Sequence, residues 1–455
     1  MKLAILVFVA CGPLWAKTFE VNANGGPIRS IREAVAQAQA GDTIRVQPGV
    51  YQGNVILDRQ VTLEGTGKPA IRGDGYGSVV TTLANGCVIR GFILEHSGPM
   101  LENENSGILL KSNGNVVADN ELRDVLFGVY FFQADGNTVT GNVLRGRPWL
   151  EIGERGSGIH IWNSTSNTIL GNVIFDMRDG MYLQNAYHTL IARNRAYHVR
   201  YGLHYMFSDD NRFEDNDFYD NVAGAAIMYS HRIEFRRNSF MHNRGFSSFG
   251  ILFQSSQDCV AEDNTISDNA VGIFMETLTD SQFRRNTIAG NDIAVQAFSS
   301  AERDTFTENN FIANLSPFQL IGRVTDIRWS ESGRGNYWSA YDGYDLNGDG
   351  IGDVPFKIQN LFEGLEANYP RLRLYLLSSA SQALATAERS FPVLEGPRTV
   401  DPAPLMRPMP LTVRDPERQA HPADVSAALA LSSIMLVLSV AIMVWGNGRW
   451  SKSAV

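Results

Sequence analysis

Apolar positions fall into a short recurring frame along most of the chain. A glycine opens each unit, at Gly107, Gly128, Gly158, Gly180, Gly202, Gly224, Gly250 and Gly272. The residues one and three places later are apolar: Ile108 and Leu110, Val129 and Phe131, Ile159 and Ile161, and so on to Ile273 and Met275. Alternation with period two predicts a short strand whose first and third residues face a core. Met181 and Met275 fall on that face and are read as packing residues rather than ligands. A second marker is an asparagine followed two places on by a large apolar residue. It runs from Asn120 through Asn142, Asn172, Asn194, Asn216, Asn238, Asn264 and Asn286 to Asn309, with the Ala196 unit the weakest. Its spacings are 22, 30, 22, 22, 22, 26, 22 and 23 residues. A unit of 22 residues is too short for a helix pair. It suits one coil of a parallel β-solenoid, with three short strands and three turns. The longer spacings are the same unit with insertions around Arg145 to Gly156 and Arg244 to Phe249. Asparagine at a turn tolerates left-handed backbone, and stacked asparagines form amide ladders, so this column is structural. Upstream, an amphipathic helix is predicted over Ile28 to Gln39, covering the open first coil.

The two ends differ from this body. Lys2, the apolar run Leu3 to Ala10 and the small residue Ala16 make residues 1–16 an export signal. A lipid-attachment reading at Cys11 fits poorly, with Phe8 three residues earlier. Residues 425–446 carry no charge, and at about 1.5 Å per residue they span a hydrocarbon core of roughly 30 Å. Arg449 and Lys452 follow, which orients the tail 447–455 to the cytoplasm. Between body and anchor, residues 376–424 form a Pro-rich linker that favours extended conformations. The expected domains are thus signal 1–16, solenoid 17–375, linker 376–424, transmembrane helix 425–446 and tail 447–455.

Composition narrows the class. A net charge of −9 disfavours a nucleic-acid partner. With 19% charged and 10% aromatic residues the chain is not disordered. Three cysteines exclude a small disulfide scaffold. Cys11 leaves with the signal, and a Cys87–Cys259 bridge is disfavoured by their separation in the repeat.

Candidate chemistry lies on the outward face. Positions two and four after each glycine point away from the core. In the middle coils they read Tyr130, Phe132, His160, Trp162, Tyr182, Gln184, His204, Met206 and Met228. Coils lie about 4.8 Å apart, so these residues form one stripe, and Tyr130, Phe132, Trp162, Tyr182 and Gln184 are its candidate binding surface. His204 and Met206 are two apart on one strand face, and Met228 stacks one coil over. Imidazole with two thioethers is a soft ligand set suited to Cu(I). His160, two coils away, is a second site or relay. An alternative for each residue is an aromatic-and-Met protein interface. His188 and His231 are assigned to the turn slot that Asn137, Asn167 and Asn211 hold in other coils.

A separate motif ends the repeats. Asp345, Asn347, Asp349 and Asp353 stand at positions one, three, five and nine of a loop with Gly350 at six, like the first part of a calcium loop. Position twelve is Phe356 rather than a bidentate Glu. The motif predicts a weak calcium site or an Asx-rich turn.

The 22-residue units resemble the repeats of carbohydrate-binding proteins and sugar hydrolases, which form right-handed parallel β-helices. More narrowly, Gly202-Leu-His204-Tyr-Met206-Phe-Ser-Asp-Asp-Asn211 is similar to a stretch of the NosD family. So are Met228-Tyr-Ser and Asn336-Tyr-Trp-Ser-Ala-Tyr-Asp-Gly-Tyr-Asp345 running into Asp349-Gly-Ile-Gly-Asp353-Val-Pro. The resemblance covers roughly residues 20–375. It implies a periplasmic maturation factor for the copper enzyme nitrous oxide reductase, with no catalysis of its own. The implied partners are an ABC transporter in the cytoplasmic membrane, a copper chaperone lipoprotein and the apo-reductase. A C-terminal anchor is not a defining feature of that family. Two other classes stay open. A carbohydrate-active lyase or epimerase needs a placed base and a charge-neutralising partner, and the outward positions hold one carboxylate, Glu276, with Asp179, Asp209 and Asp210 at turns. A metal-free docking scaffold needs neither.

Overall fold

A computed structural model describes residues 16–358 and 399–410, apart from residue 246 and residues 323–325, with scattered positions between 378 and 387. The body is a parallel β-solenoid. Among the described residues the strands of its two large sheets pair in parallel, each interior strand with its counterparts in the coils before and after. Two of the three faces merge into a 26-stranded sheet and the third is a 13-stranded one. The repeat frame explains this directly. The inward pair of each coil is fully buried: Ile159 and Ile161, Met181 and Leu183, Leu203 and Tyr205. Identical positions stack from coil to coil, so aromatic residues make ladders inside the core, as in Phe213–Phe235 at 4.9 Å and Phe283–Phe306 at 4.4 Å.

The asparagine column is the amide ladder its spacing predicts. Asn194 donates its main-chain N–H (2.9 Å) and Nδ2 (3.0 Å) to Asn216 Oδ1, and Asn216 does the same to Asn238 Oδ1. The pattern runs from Asn120 to Asn336. A second column links Asn115, Asn137 and Asn167, and a third runs from Asn221 to Asn314. The expectation that the asparagine itself is left-handed is corrected. The residue before it takes that conformation, as at Asp215 (φ 57°), Arg237 (φ 54°) and Asp263 (φ 58°), which leaves the asparagine amide free to point along the stack. His188 and His231 miss the slot assigned to them by one and two residues: Thr189 and Ile233 stand in line with Asn211.

The helix at the start is shorter than predicted, Ile31–Gln37, and buries Ile31, Ala34 and Val35. A strand Thr18–Val21 precedes it and pairs with Thr43–Val46. Cys87 and Cys259 are both buried and free.

The other end departs from the expected domain plan. Residues 399–410, assigned by their prolines to the spacer, close the last coils instead. Val400–Asp401 pairs antiparallel with Phe356–Lys357, and Leu405 is buried. Asp401 is the final rung of the ladder: its Oδ2 accepts from Asn336 N (2.7 Å) and Trp338 Nε1 (2.9 Å), and its Oδ1 from Ala403 N (3.0 Å). Proline suits a strap that lies across a sheet end, where few ladder donors are needed. The export signal and the stretch 425–446 lie outside the described residues. Among the described residues no helix is long and apolar enough to cross a membrane.

Candidate functional site

The outward stripe exists, and its register is the one the repeat predicts. Tyr130, His160, Tyr182 and His204 pair in sequence across four coils, and so do Phe132, Trp162, Gln184, Met206 and Met228 across five. Its two halves differ. Toward the N-terminus it is covered. Tyr130 is buried and donates its hydroxyl to Glu104 Oε1 at 2.6 Å, from a loop that also lays Leu101 over the stripe. His160 is also enclosed, its ring stacked on Tyr130 at 4.4 Å and set edge-on to Tyr182 at 4.6 Å. Burial, with the nearby Arg178 charge, pulls the His160 imidazole down to about 3, so it is neutral. Tyr130 and His160 are therefore not part of an open surface. Phe132 and Trp162 are half-buried, 4.8 Å apart, with Lys111 Nζ 5.2 Å from the Phe132 ring centre.

The other half is open. His204, Met206 and Met228 are partly exposed, and Met206 lies directly opposite Met228 in register. The Tyr182 hydroxyl is 3.1 Å from Gln184 Oε1 and 3.7 Å from Met206 Sδ. Beside them Phe207 and Tyr229 stack at 5.0 Å.

Sequence reasoning missed the group that orients His204. Asp179, read as a turn residue, begins the strand Asp179–Tyr187 and is fully buried. Its carboxylate receives Arg200 through Nε (2.9 Å) and Nη2 (2.8 Å) and lies 3.3 Å from His204 Nδ1. Burial alone would raise this carboxyl. The hydrogen bonds from His204 and Arg200 outweigh it and hold the group below its usual range. An ionised Asp179 accepts only, so His204 Nδ1 is the donor in this contact, which fixes the orientation of the ring. A signal was available: Asp179 is the one charge in the stacked set Phe127, Ser157, Asp179, Tyr201 and Ala223, and Arg178 and Arg200 stand one unit apart.

The remaining sites are dispersed. His96, His231 and His242 each pair with one turn carboxylate: Asp124, Asp209 and Asp268. Among the described residues no group of three or more His, Cys, Asp or Glu side chains could hold a metal ion. The Asp345 to Asp353 loop is exposed and spends its oxygens on itself. Asp345 accepts from Gly348 N and Gly350 N, Asn347 from Asp349 N, Asp349 from Ile351 N, and Asp353 from Leu346 N.

Residues 145–343 match the family model described as "Periplasmic copper-binding protein (NosD)". A Pseudomonas aeruginosa protein named "Probable ABC transporter binding protein NosD" is 29% identical over 372 residues, covering 79% of this chain and 87% of that one. A Stutzerimonas stutzeri protein of the same name is 26% identical over 396 residues, covering 83% and 90%. The expected resemblance to the NosD family is thus borne out. Among solved structures, the A-module of the Azotobacter vinelandii mannuronan C-5 epimerase AlgE4 superposes with a TM-score of 0.54 at 17% identity, over 65% of this chain and 93% of that one. The AlgE6 A-module does so at 0.55 and 16%, over 66% and 92%. These likenesses concern the fold alone.

Proposed function

We propose that this chain is a periplasmic copper carrier of the NosD kind, which receives Cu(I) and delivers it to apo nitrous oxide reductase in concert with an ABC transporter and a copper chaperone lipoprotein. The observation that carries the reading is the outward group His204, Met206 and Met228. Met206 stands opposite Met228, and Asp179 orients the His204 ring through Nδ1. Two thioethers and one imidazole, without thiolate, bind Cu(I) and also release it, as a carrier requires. His160 is enclosed and is left out of this set. The names of the two relatives and the family description support copper and the transporter. The reductase and the chaperone follow from the family resemblance.

The test is an anaerobic Cu(I) titration of the full chain against a competing chelator. Stoichiometric binding is expected, lost when His204→Ala and Met206→Ala are combined. Binding that the double variant leaves unchanged would overturn the site. No competitive binding by the wild-type chain, with partner docking intact, would favour a metal-free scaffold. A carbohydrate-active reading has one favourable feature, the carboxylate next to His204. That carboxylate is fully buried and held by arginine, which leaves it unfit as a base toward a polymer on the stripe.

A further inference from the structure

Three buried polar atoms in one corner of two successive coils have no hydrogen-bond partner: Ser157 Oγ, His160 Nδ1 and Arg178 Nε. Orphaned polar atoms inside a protein are uncommon, and three together point to an absent bound species. The coil register brings them together. Gly158 N donates to Asp179 O and Arg178 N to Gly156 O, each at 2.9 Å, so Ser157 stacks on Asp179 and Gly156 stacks on Arg178. Gly156 carries no side chain in the column where the next coils carry Arg178 and Arg200, so no third arginine or counter-charge stands in that column beside Arg178. His160 is nine-tenths buried on the same coil as Ser157, and it feels both the Arg178 and the Asp179 charges.

The charge balance indicates the occupant. Among the described residues Asp179 is the carboxylate that faces this corner, and Arg200 donates to both of its oxygens. Arg178 Nε reaches Asp179 Oδ2 only at 3.4 Å, without hydrogen-bond geometry. Arg155, on the neighbouring insertion, donates only to the main-chain oxygens of Pro148, Leu150 and Asp176. Asp176 is paired with Arg145 at 3.0 Å, and Glu104 is engaged with the Tyr130 hydroxyl. The corner thus carries surplus positive charge, and each of its three orphaned groups can act as a donor: a guanidinium N–H, a hydroxyl and a neutral imidazole N–H. A water molecule would satisfy the donors but leave the charge.

We infer that the Ser157–His160–Arg178 corner binds a small inorganic monoanion of halide size, reached from solvent along the Arg178 side chain, which is one-quarter exposed. Its position beside the Asp179–His204 pair gives it a use. A bound anion cancels the surplus charge that would otherwise repel a cation at His204. That use rests on the cargo reading; the binding itself does not.

The experiment is crystallographic, with bromide as the probe. Crystals of the full chain are soaked in sodium bromide, and anomalous differences are measured at the bromine edge. A peak within hydrogen-bond reach of Arg178 Nε and His160 Nδ1 is expected, and it should vanish in Arg178→Gln. Arg178→Lys, which keeps the charge, serves if the glutamine variant fails to fold; it should retain a displaced or weakened peak. Ordered density without anomalous signal, an empty corner, or a peak that survives Arg178→Gln would each overturn the inference. Copper titration in sulfate buffer is unaffected by any of these outcomes, so failure here and failure of the cargo reading are separable.

Discussion

Single side chains set the behaviour of this solenoid where they break a column. Asp304 is one such break. It stands in line with Cys259 and Ser281, in the column that opens with Asn115 and Asn137, and it is fully buried. Its Oδ1 accepts from Ser281 N at 2.9 Å, while its Oδ2 has no partner. Burial pushes the carboxyl up to about 8, against an ordinary value near 3.8. The folded state therefore holds a proton that the unfolded state has lost between those values. Its stabilising contribution is complete below pH 4 and falls as pH rises through 8, by about 1.4 kcal/mol per pH unit for this one group. Asp304→Asn should flatten that slope and raise the urea midpoint at pH 7, because the amide matches the donor pattern of Asn115 and Asn137. Parallel pH profiles for the variant and the wild type would dismiss the idea. Asp179 shows the opposite case. Its charge is stabilised by His204 and Arg200, and its signal lies only in the stacked column, since locally a lone aspartate before a glycine looks like the many aspartates that occupy turns in this chain. That is why the sequence pointed to His204 and not to the group that orients it.

At the level of the coil, the ladder explains what the repeat could reveal. Each interior rung must accept through Oδ1 and donate through Nδ2. Asn216 accepts from Asn194 N and Nδ2 while its own Nδ2 donates to Ile191 O and Asn238 Oδ1. Only asparagine offers both, so it recurs at fixed spacing and is legible in the sequence. The same logic places a carboxylate at the end of the stack, where Asp401 has only to accept. An interior Asn216→Asp substitution should therefore destabilise the fold by roughly 2–4 kcal/mol, since it replaces the donor that serves Ile191 O and Asn238 Oδ1 with a third acceptor inside the protein. The cost should grow as pH rises and the buried carboxyl ionises. Urea denaturation at pH 5 and pH 8 measures both effects, and a loss under about 0.5 kcal/mol, the level of an ordinary surface change, would contradict the ladder account. Asp401 itself was illegible. It lies 65 residues beyond Asn336 in a stretch whose prolines read as spacer, and no periodicity links the two.

For the molecule as a whole, a solenoid is a one-dimensional stack, and each end needs a cover to prevent edge pairing. The first coil is covered by the helix Ile31–Gln37, which the apolar pattern predicts. The last coil is covered by residues 399–410, which composition alone assigns elsewhere. Removing them strips Asn336 N, Asn336 Nδ2 and Trp338 Nε1 of a buried acceptor and uncovers Leu405's seat beside Tyr337. It also frees Asn310, whose Nδ2 and Oδ1 are held by Met409. The strap 399–410 thus packs with the solenoid rather than standing apart from it as spacer. Two truncations separate these views. A chain ending at 412 should unfold at the same urea concentration as the full-length body and stay monomeric. A chain ending at 380 should unfold earlier and associate through its exposed end coil, with the loss concentrated in the C-terminal coils as read by hydrogen exchange. Equal midpoints and equal sizes for the two would mean that the strap lies on the solenoid without stabilising it, and the spacer would then begin where its prolines first suggest.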